Sequence, residues 1–348
     1  GYKLPDDLEE VVERAVEEMD GEDRLPRPTG AGVGRVRFEP WWKEQYLGFL
    51  AGRVGVRLDG LKVVLDCANG AAFEVGPELF RRLGAEVVAI NTGNSGEDIN
   101  VACGSTHPER VAVATRQAGA DAGLAFDGDA DRCIAVDELG NVVDGDQILA
   151  ICALQRLKEG TLAGGRVAVT VYSNGGLRAA LRSAGGDVVV TAPGDRHVLQ
   201  AMLKNGLVLG GEQSGHVIFL DHARTGDGVL TGLMLLDVMK RTGRRLSDLA
   251  AQMPRFPQAL VNVRVARKEG LLDLPEVQEA IRQAQAAVGE LGRVYVRPSG
   301  TEPVIRVMVE ASDRSLVEQC AHQVAEALRR AGQEQDAARD PEGVEMAR

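Results

Sequence analysis

Short, largely apolar runs alternate along the chain with longer segments whose apolar positions recur at helical spacing. KVVLD (62–66), AEVVAI (85–90) and AGLAF (122–126) are too short for helices and predict buried strands. NGAAFEVGPELFRRLG (69–84) and PERVAVATRQAG (108–119) lie between them and predict helices. A βαβα order of this kind predicts a parallel sheet covered by helices. The rhythm restarts after Gly145. DQILAICALQRLKEG, GGLRAALRSAG and RHVLQAMLKNG read as helices, and RVAVTVY, DVVVTA and LVLGG as strands, which predicts a second unit of similar build. Two prolines in MPRFPQ (253–258) predict a linker. Beyond it, strand-like ALVNVRVA, RVYVRP and VIRVMVE are interleaved with helical PEVQEAIRQAQAAV and SLVEQCAHQVAEALRR. The expected fold class is therefore α/β: two consecutive α/β domains with mixed or parallel sheets, plus a smaller C-terminal α+β domain. The chain opens with GYKLPDDLEEVVERAVEEM, which reads as the end of a strand running into an amphipathic helix. That helix has little near it in sequence to pack on, so the chain is expected to start in the middle of a domain.

Bulk properties narrow the function classes. The chain has 348 residues, 44% of them apolar, enough for about two or three domains of ordinary size. A net charge of −11 and a pI near 5.1 weigh against a general nucleic-acid binder. No run of about 18 apolar residues predicts a membrane span, and no signal peptide is visible. Cys67, Cys103, Cys133, Cys152 and Cys320 are scattered and odd in number, with no CxxC spacing, which predicts a reduced, cytoplasmic chain.

The chemistry concentrates in three short stretches. In LAFDGDADRCIAVD (124–137), Asp127, Asp129 and Asp131 stand at every second position between apolar runs. Three carboxylates on one strand face would repel, so something must hold them together. A hard divalent cation prefers oxygen ligands, and three converging carboxylates suit Mg²⁺, which usually leaves positions for water and phosphate oxygens. An EF-hand loop is disfavoured because Arg132 stands where its turn needs glycine. A phosphatase with Asp127 as nucleophile is disfavoured by Asp131, and a solvated acidic turn by the buried flanks. Arg132 is well placed to grip a further phosphate oxygen, a catalytic role. In RPSGTEPVIR (297–306), Arg297, Ser299, Gly300, Thr301 and Arg306 can surround a phosphate with donors. In GGEQSGH (210–216), Glu212, Ser214 and His216 offer the donor and acceptor mix that adjacent sugar hydroxyls need.

DGDADR, GEQSGH and RPSGTEP, in that order, resemble the α-D-phosphohexomutases. CGSTHPE (103–109), PGDRHVLQAM (193–202), TGDGVL (225–230) and FPQALVNVRV (256–265) are most similar to the bacterial members that act on amino sugars. The resemblance runs from about residue 1 to residue 330. It implies interconversion of glucosamine 6-phosphate and glucosamine 1-phosphate, on the route to UDP-N-acetylglucosamine and the cell wall. It implies Mg²⁺ on Asp127, Asp129 and Asp131, sugar contacts from Glu212 and Ser214, and a grip on the non-reacting phosphate by Arg297, Ser299, Gly300, Thr301 and Arg306. A glucosamine 1,6-bisphosphate, or a similar hexose bisphosphate, would be the activator and intermediate. The partner is a small hexosamine phosphate, with neither nucleic acid nor membrane. Four family domains divide this chain into 1–30 (a remnant of the first), 31–146 (metal loop), 147–253 (sugar loop), 254–331 (distal phosphate) and a disordered tail, 332–348.

The family nucleophile is a phosphorylated serine in a motif close to T/S-A-S-H-N-P, and the 348 residues contain no such motif. Ser105 in GSTHP matches a second-domain segment and is a decoy. The chain alone is expected to turn over little or nothing. Ala192 and Pro193 stand where a lysine is usual, and His197 where tyrosine is common. Two alternatives remain: a non-catalytic Mg²⁺ and sugar-phosphate binding module, complemented by a separate N-terminal domain, or a mutase acting on mannose or glucose phosphates.

Overall fold

The computed structural model describes residues 2–19, 26–299 and 302–337. The chain starts with helix α1 (Asp6–Glu18), and residues 2–5 ahead of it form no strand. The apolar stripe of α1, Leu8, Val11, Val12 and Val16, is exposed. After α2 (Trp41–Ala51), the first sheet is built from β1 (Lys62–Asp66), α3 (Ala72–Arg82), β2 (Glu86–Ile90), α4 (Glu109–Ala118), β3 (Ala122–Phe126), β4 (Cys133–Asp137) and β5 (Val142–Val143). Its strand order is β2-β1-β3-β4-β5. The first three strands are parallel, and β4 returns antiparallel to β3. Every residue of β3 and β4 is buried, as continuous apolar runs covered on both faces require.

The second unit begins at α5 (Gly145–Glu159), whose N-cap Asp144 forms a capping box with Gln147. It continues through β6 (Arg166–Thr170), α6 (Gly175–Ser183), β7 (Asp187–Thr191), α7 (Asp195–Asn205), β8 (Leu209–Gly211), β9 (Val217–Phe219), α8 (Gly228–Thr242) and α9 (Leu246–Ala250). Strand order is β7-β6-β8-β9, with β9 antiparallel. One hydrophobic core runs through both units: Leu65 and Phe126 of the first join Val167, Phe219 and Leu236 of the second in a single cluster.

The third unit comprises β10 (Gln258–Arg264), α10 (Pro275–Val288), β11 (Arg293–Pro298), β12 (Val304–Glu310) and α11 (Arg314–Ala337). Its antiparallel sheet, β10-β12-β11, carries a separate core that includes Val263, Ile305, Val307 and Leu328. Helix α11 continues to Ala337, so the first part of the expected tail, 332–337, is helical, and 338–348 lie outside the described residues. All five cysteines are buried and unpaired. Among the described residues no helix is long and apolar enough to cross a membrane.

Candidate active site

The three aspartates do not share a strand face. Strand β3 ends at Phe126 and β4 begins at Cys133, so the acidic stretch is the loop joining them, at the edge where the parallel strands end. Ala130 takes a left-handed conformation (φ 61°), which turns the chain between Asp129 and Asp131. One ligand oxygen from each aspartate lies within 4.8 Å of the others. Asp127 is 6% exposed, and its Oδ1 accepts the backbone N–H of Arg132 at 3.0 Å. Burial, with the neighbouring Asp131 and Asp129 carboxylates, pushes the Asp127 carboxyl up to about 7. Three hard oxygen donors that repel one another are the donor set for a hard cation, so these residues fit Mg²⁺. The Arg132 guanidinium is partly exposed beside the loop, its Nε 3.7 Å from Asp127 Oδ2 and 3.8 Å from Asp131 Oδ1.

Close backbone approaches from other segments hold this loop. A Cβ at Gly70 would lie 2.2 Å from the Gly128 carbonyl, and one at Gly104 2.4 Å from that of Phe126. Asp66, fully buried, accepts the N–H groups of Ala68 and Gly104 at 3.0 Å each. From the second unit, Gly215 gives its carbonyl to Cys133 N–H at 3.0 Å, and Gly228 gives its N–H to the Ala130 carbonyl at 2.8 Å. A Cβ at Gly228 would stand 2.2 Å from the Arg132 carbonyl. Gly228→Ala is therefore expected to destabilise by about 3 kcal/mol and to weaken divalent-cation binding, read by denaturant unfolding and calorimetry. A stability within experimental error of the parent would refute the clamp.

The GEQSGH stretch is the hairpin between β8 and β9, closed by Glu212 N–H to His216 carbonyl at 2.9 Å and Gly215 N–H to Glu212 carbonyl at 3.0 Å. Ser214 is exposed at its tip. Glu212 is half-buried, and its Oε1 accepts Gly194 N–H at 3.1 Å. His216 is 4% exposed, with Nδ1 3.1 Å from Asp131 Oδ2. It precedes β9, whose three residues are all buried, and it lines a cavity with Lys3, Asp195 and Thr225. Ser105 is also buried.

In the third unit Arg297 and Arg306 face each other across β11 and β12. Arg297 is exposed, while Arg306 pairs with Glu302 at 2.9 Å and has a buried, unpartnered Nε. Ser299 is buried, and its Oγ accepts Glu302 N–H at 3.3 Å. Gly300 and Thr301 lie outside the described residues. Lys268 fixes this loop through the Ser299 carbonyl at 2.6 Å, a contact for which the sequence carries no signal. Arg297 and Arg306 line a cavity of ≈ 250 Å³ with Tyr172, Tyr295 and Gln213, the last from the GEQSGH hairpin. The sequence also gave no sign of either tyrosine there.

Models of the phosphoglucomutase/phosphomannomutase family match three successive stretches: alpha/beta/alpha domain II over residues 44–140, alpha/beta/alpha domain III over 144–256 and the C-terminal domain over 260–327. A phosphoglucosamine mutase from Moorella thermoacetica is 55% identical over 91% of this chain and 71% of its own length. One from Symbiobacterium thermophilum is 52% identical over 94% of this chain and 73% of its own. Among solved structures, an Aspergillus fumigatus N-acetylphosphoglucosamine mutase in complex with GlcNAc-6P and magnesium is 25% identical, with a TM-score of 0.64 over 83% of this chain and 66% of that one. A Burkholderia thailandensis phosphoglucomutase/phosphomannomutase family protein shares the fold, with a TM-score of 0.73 at 24% identity over 94% of this chain and 70% of that one. With relatives this similar over most of its length, the chain belongs to the phosphoglucomutase/phosphomannomutase family.

Proposed function

We propose that this chain carries the cation, sugar and distal-phosphate sites of a phosphoglucosamine mutase, which interconverts glucosamine 6-phosphate and glucosamine 1-phosphate. The observation that carries the reading is the continuity of the three loops. Cys133 N–H binds the Gly215 carbonyl, Gly145 N–H binds the Gln213 carbonyl, and the Gln213 side chain lines the cavity of Arg297 and Arg306. Acidic loop, hydroxyl-binding hairpin and arginine pair thus form one run, in the order that a phosphorylated sugar needs.

Asp127, Asp129 and Asp131 would hold Mg²⁺, which when bound supplies positive charge to a phosphoryl group in transfer. Arg132 would hold a further phosphoryl oxygen. Glu212 accepts from sugar hydroxyls, and Ser214 can donate or accept. Arg297 and Arg306, with Ser299, Gly300 and Thr301, grip the phosphate at the far end. The hexose bisphosphate reverses between the sites, so each end visits both. Five unpaired, buried thiols fit a reducing, cytoplasmic setting.

Binding is the readout of choice, because the 348 residues hold no T/S-A-S-H-N-P motif. Calorimetric titration of glucosamine 6-phosphate and of glucose 1,6-bisphosphate into this chain with Mg²⁺ is expected to give saturable binding. Arg297→Ala should weaken it about tenfold, the loss of one charge-assisted hydrogen-bonding group. No saturable binding by the parent chain would sink the reading.

A further inference from the structure

The antiparallel sheet of the third unit has two faces. One carries the core, through Val263, Ile305 and Val307. On the other face the register sets residues in rows across the three strands. Gln258, Glu310 and Arg293 form the first row, Leu260, Met308 and Tyr295 the second, and Asn262, Arg306 and Arg297 the third. The first row is spent on structure: Glu310 has no exposed surface and holds Gly175 N–H and Arg293, and Arg293 also donates to the Tyr172 carbonyl at 3.0 Å. The third row carries the arginine pair. The middle row is apolar on every strand and yet open, with Leu260 63% exposed and Tyr295 36%. Tyr172, from the loop after β6, extends it: its ring stands edge-on to that of Tyr295, with centroids 6.1 Å apart. All of these side chains except Asn262 and Glu310 line the cavity that Gln213 of the GEQSGH hairpin shares. The outer face of an antiparallel sheet is ordinarily polar, so an open apolar row between two charged ones marks a surface with a ligand to cover it.

We propose that Leu260, Met308, Tyr295 and Tyr172 form a platform for the apolar face of a hexose ring, one row away from the arginines that hold its phosphate. The proposal rests on the reading of Arg297 and Arg306 as the distal-phosphate site. A pyranose carries C–H groups on its faces and hydroxyls at its rim, so it matches an apolar floor with polar walls. Tyrosine suits the floor, having a flat apolar body and a polar tip. Rows on one sheet face are about 7 Å apart along the strand, two residues at about 3.4 Å each, a step that a hexose and its own phosphate can span. The platform therefore selects sugar phosphates over inorganic phosphate, which would engage the arginines alone.

The test uses the full 348-residue chain with Mg²⁺ and two probes. Glucose 1,6-bisphosphate is titrated by calorimetry, and inorganic phosphate is titrated as its competitor. Tyr295→Ala is expected to weaken the bisphosphate about tenfold and to leave the inhibition constant of phosphate unchanged. Tyr295→Phe keeps the apolar body and should restore the bisphosphate affinity. Leu260→Ser, at a side chain mostly in solvent, should weaken the bisphosphate about threefold, and it decides the matter alone if Tyr295→Ala does not fold. Arg297→Ala should weaken both probes and so calibrates the competitor. Equal losses of both probes in Tyr295→Ala would overturn the proposal, because the ring would then only position Arg297. Unchanged bisphosphate affinity in Leu260→Ser and Tyr295→Ala would overturn it too. A parent chain that bound neither probe would refute the phosphate reading and the platform with it; one that bound inorganic phosphate as tightly as the bisphosphate would refute the platform only.

Discussion

Asp127→Asn should abolish tight divalent-cation binding and yet, in the cation-free chain at pH 8, raise stability. Both effects come from the same burial. The Asp127 carboxyl is pushed from an ordinary 3.8 up to about 7, first by burial and then by Asp131 and Asp129. A raised carboxyl stabilises the fold fully below about pH 4, and this contribution is lost as pH rises towards 7. Above that, the folded chain carries a buried anion that the unfolded chain holds in water. The full shift corresponds to about 4 kcal/mol, and screening where the loop opens to solvent reduces it to about 2 kcal/mol. Asparagine cannot ionise, and its amide oxygen can still accept the Arg132 N–H. The variant should therefore melt higher than the parent at pH 8 and about equally at pH 4. The cation inverts the order. Mg²⁺ at a hundred times its Kd stabilises the parent by about 2.7 kcal/mol, whereas the variant, short of one charged ligand, should lose about a hundredfold in affinity. Melting curves at pH 4 and pH 8, with and without Mg²⁺, decide the matter. Undiminished Mg²⁺ stabilisation of the variant would remove Asp127 from the cation site.

What the sequence disclosed depends on whether a signal is local. The strands KVVLD and AGLAF are β1 and β3 to the residue, because a short apolar run between turn residues has few other solutions. Helix α8 gives no periodic signal: GVLTGLMLLDVMKRT is buried from Gly228 through Leu233 and again from Leu235 through Met239, so it has no polar face to reveal its period. The acidic triplet announced its chemistry but not its shape, since a period of two can be a strand face or a turn pinned by a left-handed alanine. His216 was legible as a polar residue beside a glycine turn. Its contact with Asp131 was not, because the two stand 85 residues apart. The clamps at Gly70, Gly104 and Gly228 are likewise contacts between remote backbones, and a lone glycine does not say what lies against it.

Asn174→Ala should be the most damaging single change outside the cores and should separate the phosphate site from the cation site. Asn174 is 5% exposed and caps α6 through Gly176 N–H at 3.0 Å. Its side-chain oxygen also accepts Phe256 N–H, and its amide donates to the Phe256 carbonyl, both at 3.0 Å. The same amide donates to Glu310 Oε2 at 2.9 Å. Glu310, with no exposed surface, holds Gly175 N–H at 2.8 Å and Arg293 at 3.3 Å. This node joins the second unit to the linker and to the last strand of the third. Alanine would strand a buried N–H and a buried carbonyl at Phe256 and remove the cap, for about 4 kcal/mol in total. The third unit keeps its own core of Val263, Ile305, Val307 and Leu328, so it should stay folded while losing its seat. Calorimetry should then resolve two unfolding transitions, and hexose bisphosphate binding should weaken because Arg297 and Arg306 no longer face Gln213. Mn²⁺ binding should persist, since the acidic loop is clamped within the core shared by the first two units. A variant that lost Mn²⁺ and bisphosphate binding together would mean that the node supports the whole fold; one that lost only the bisphosphate would identify it as the joint by which the arginine pair is held over the sugar loop.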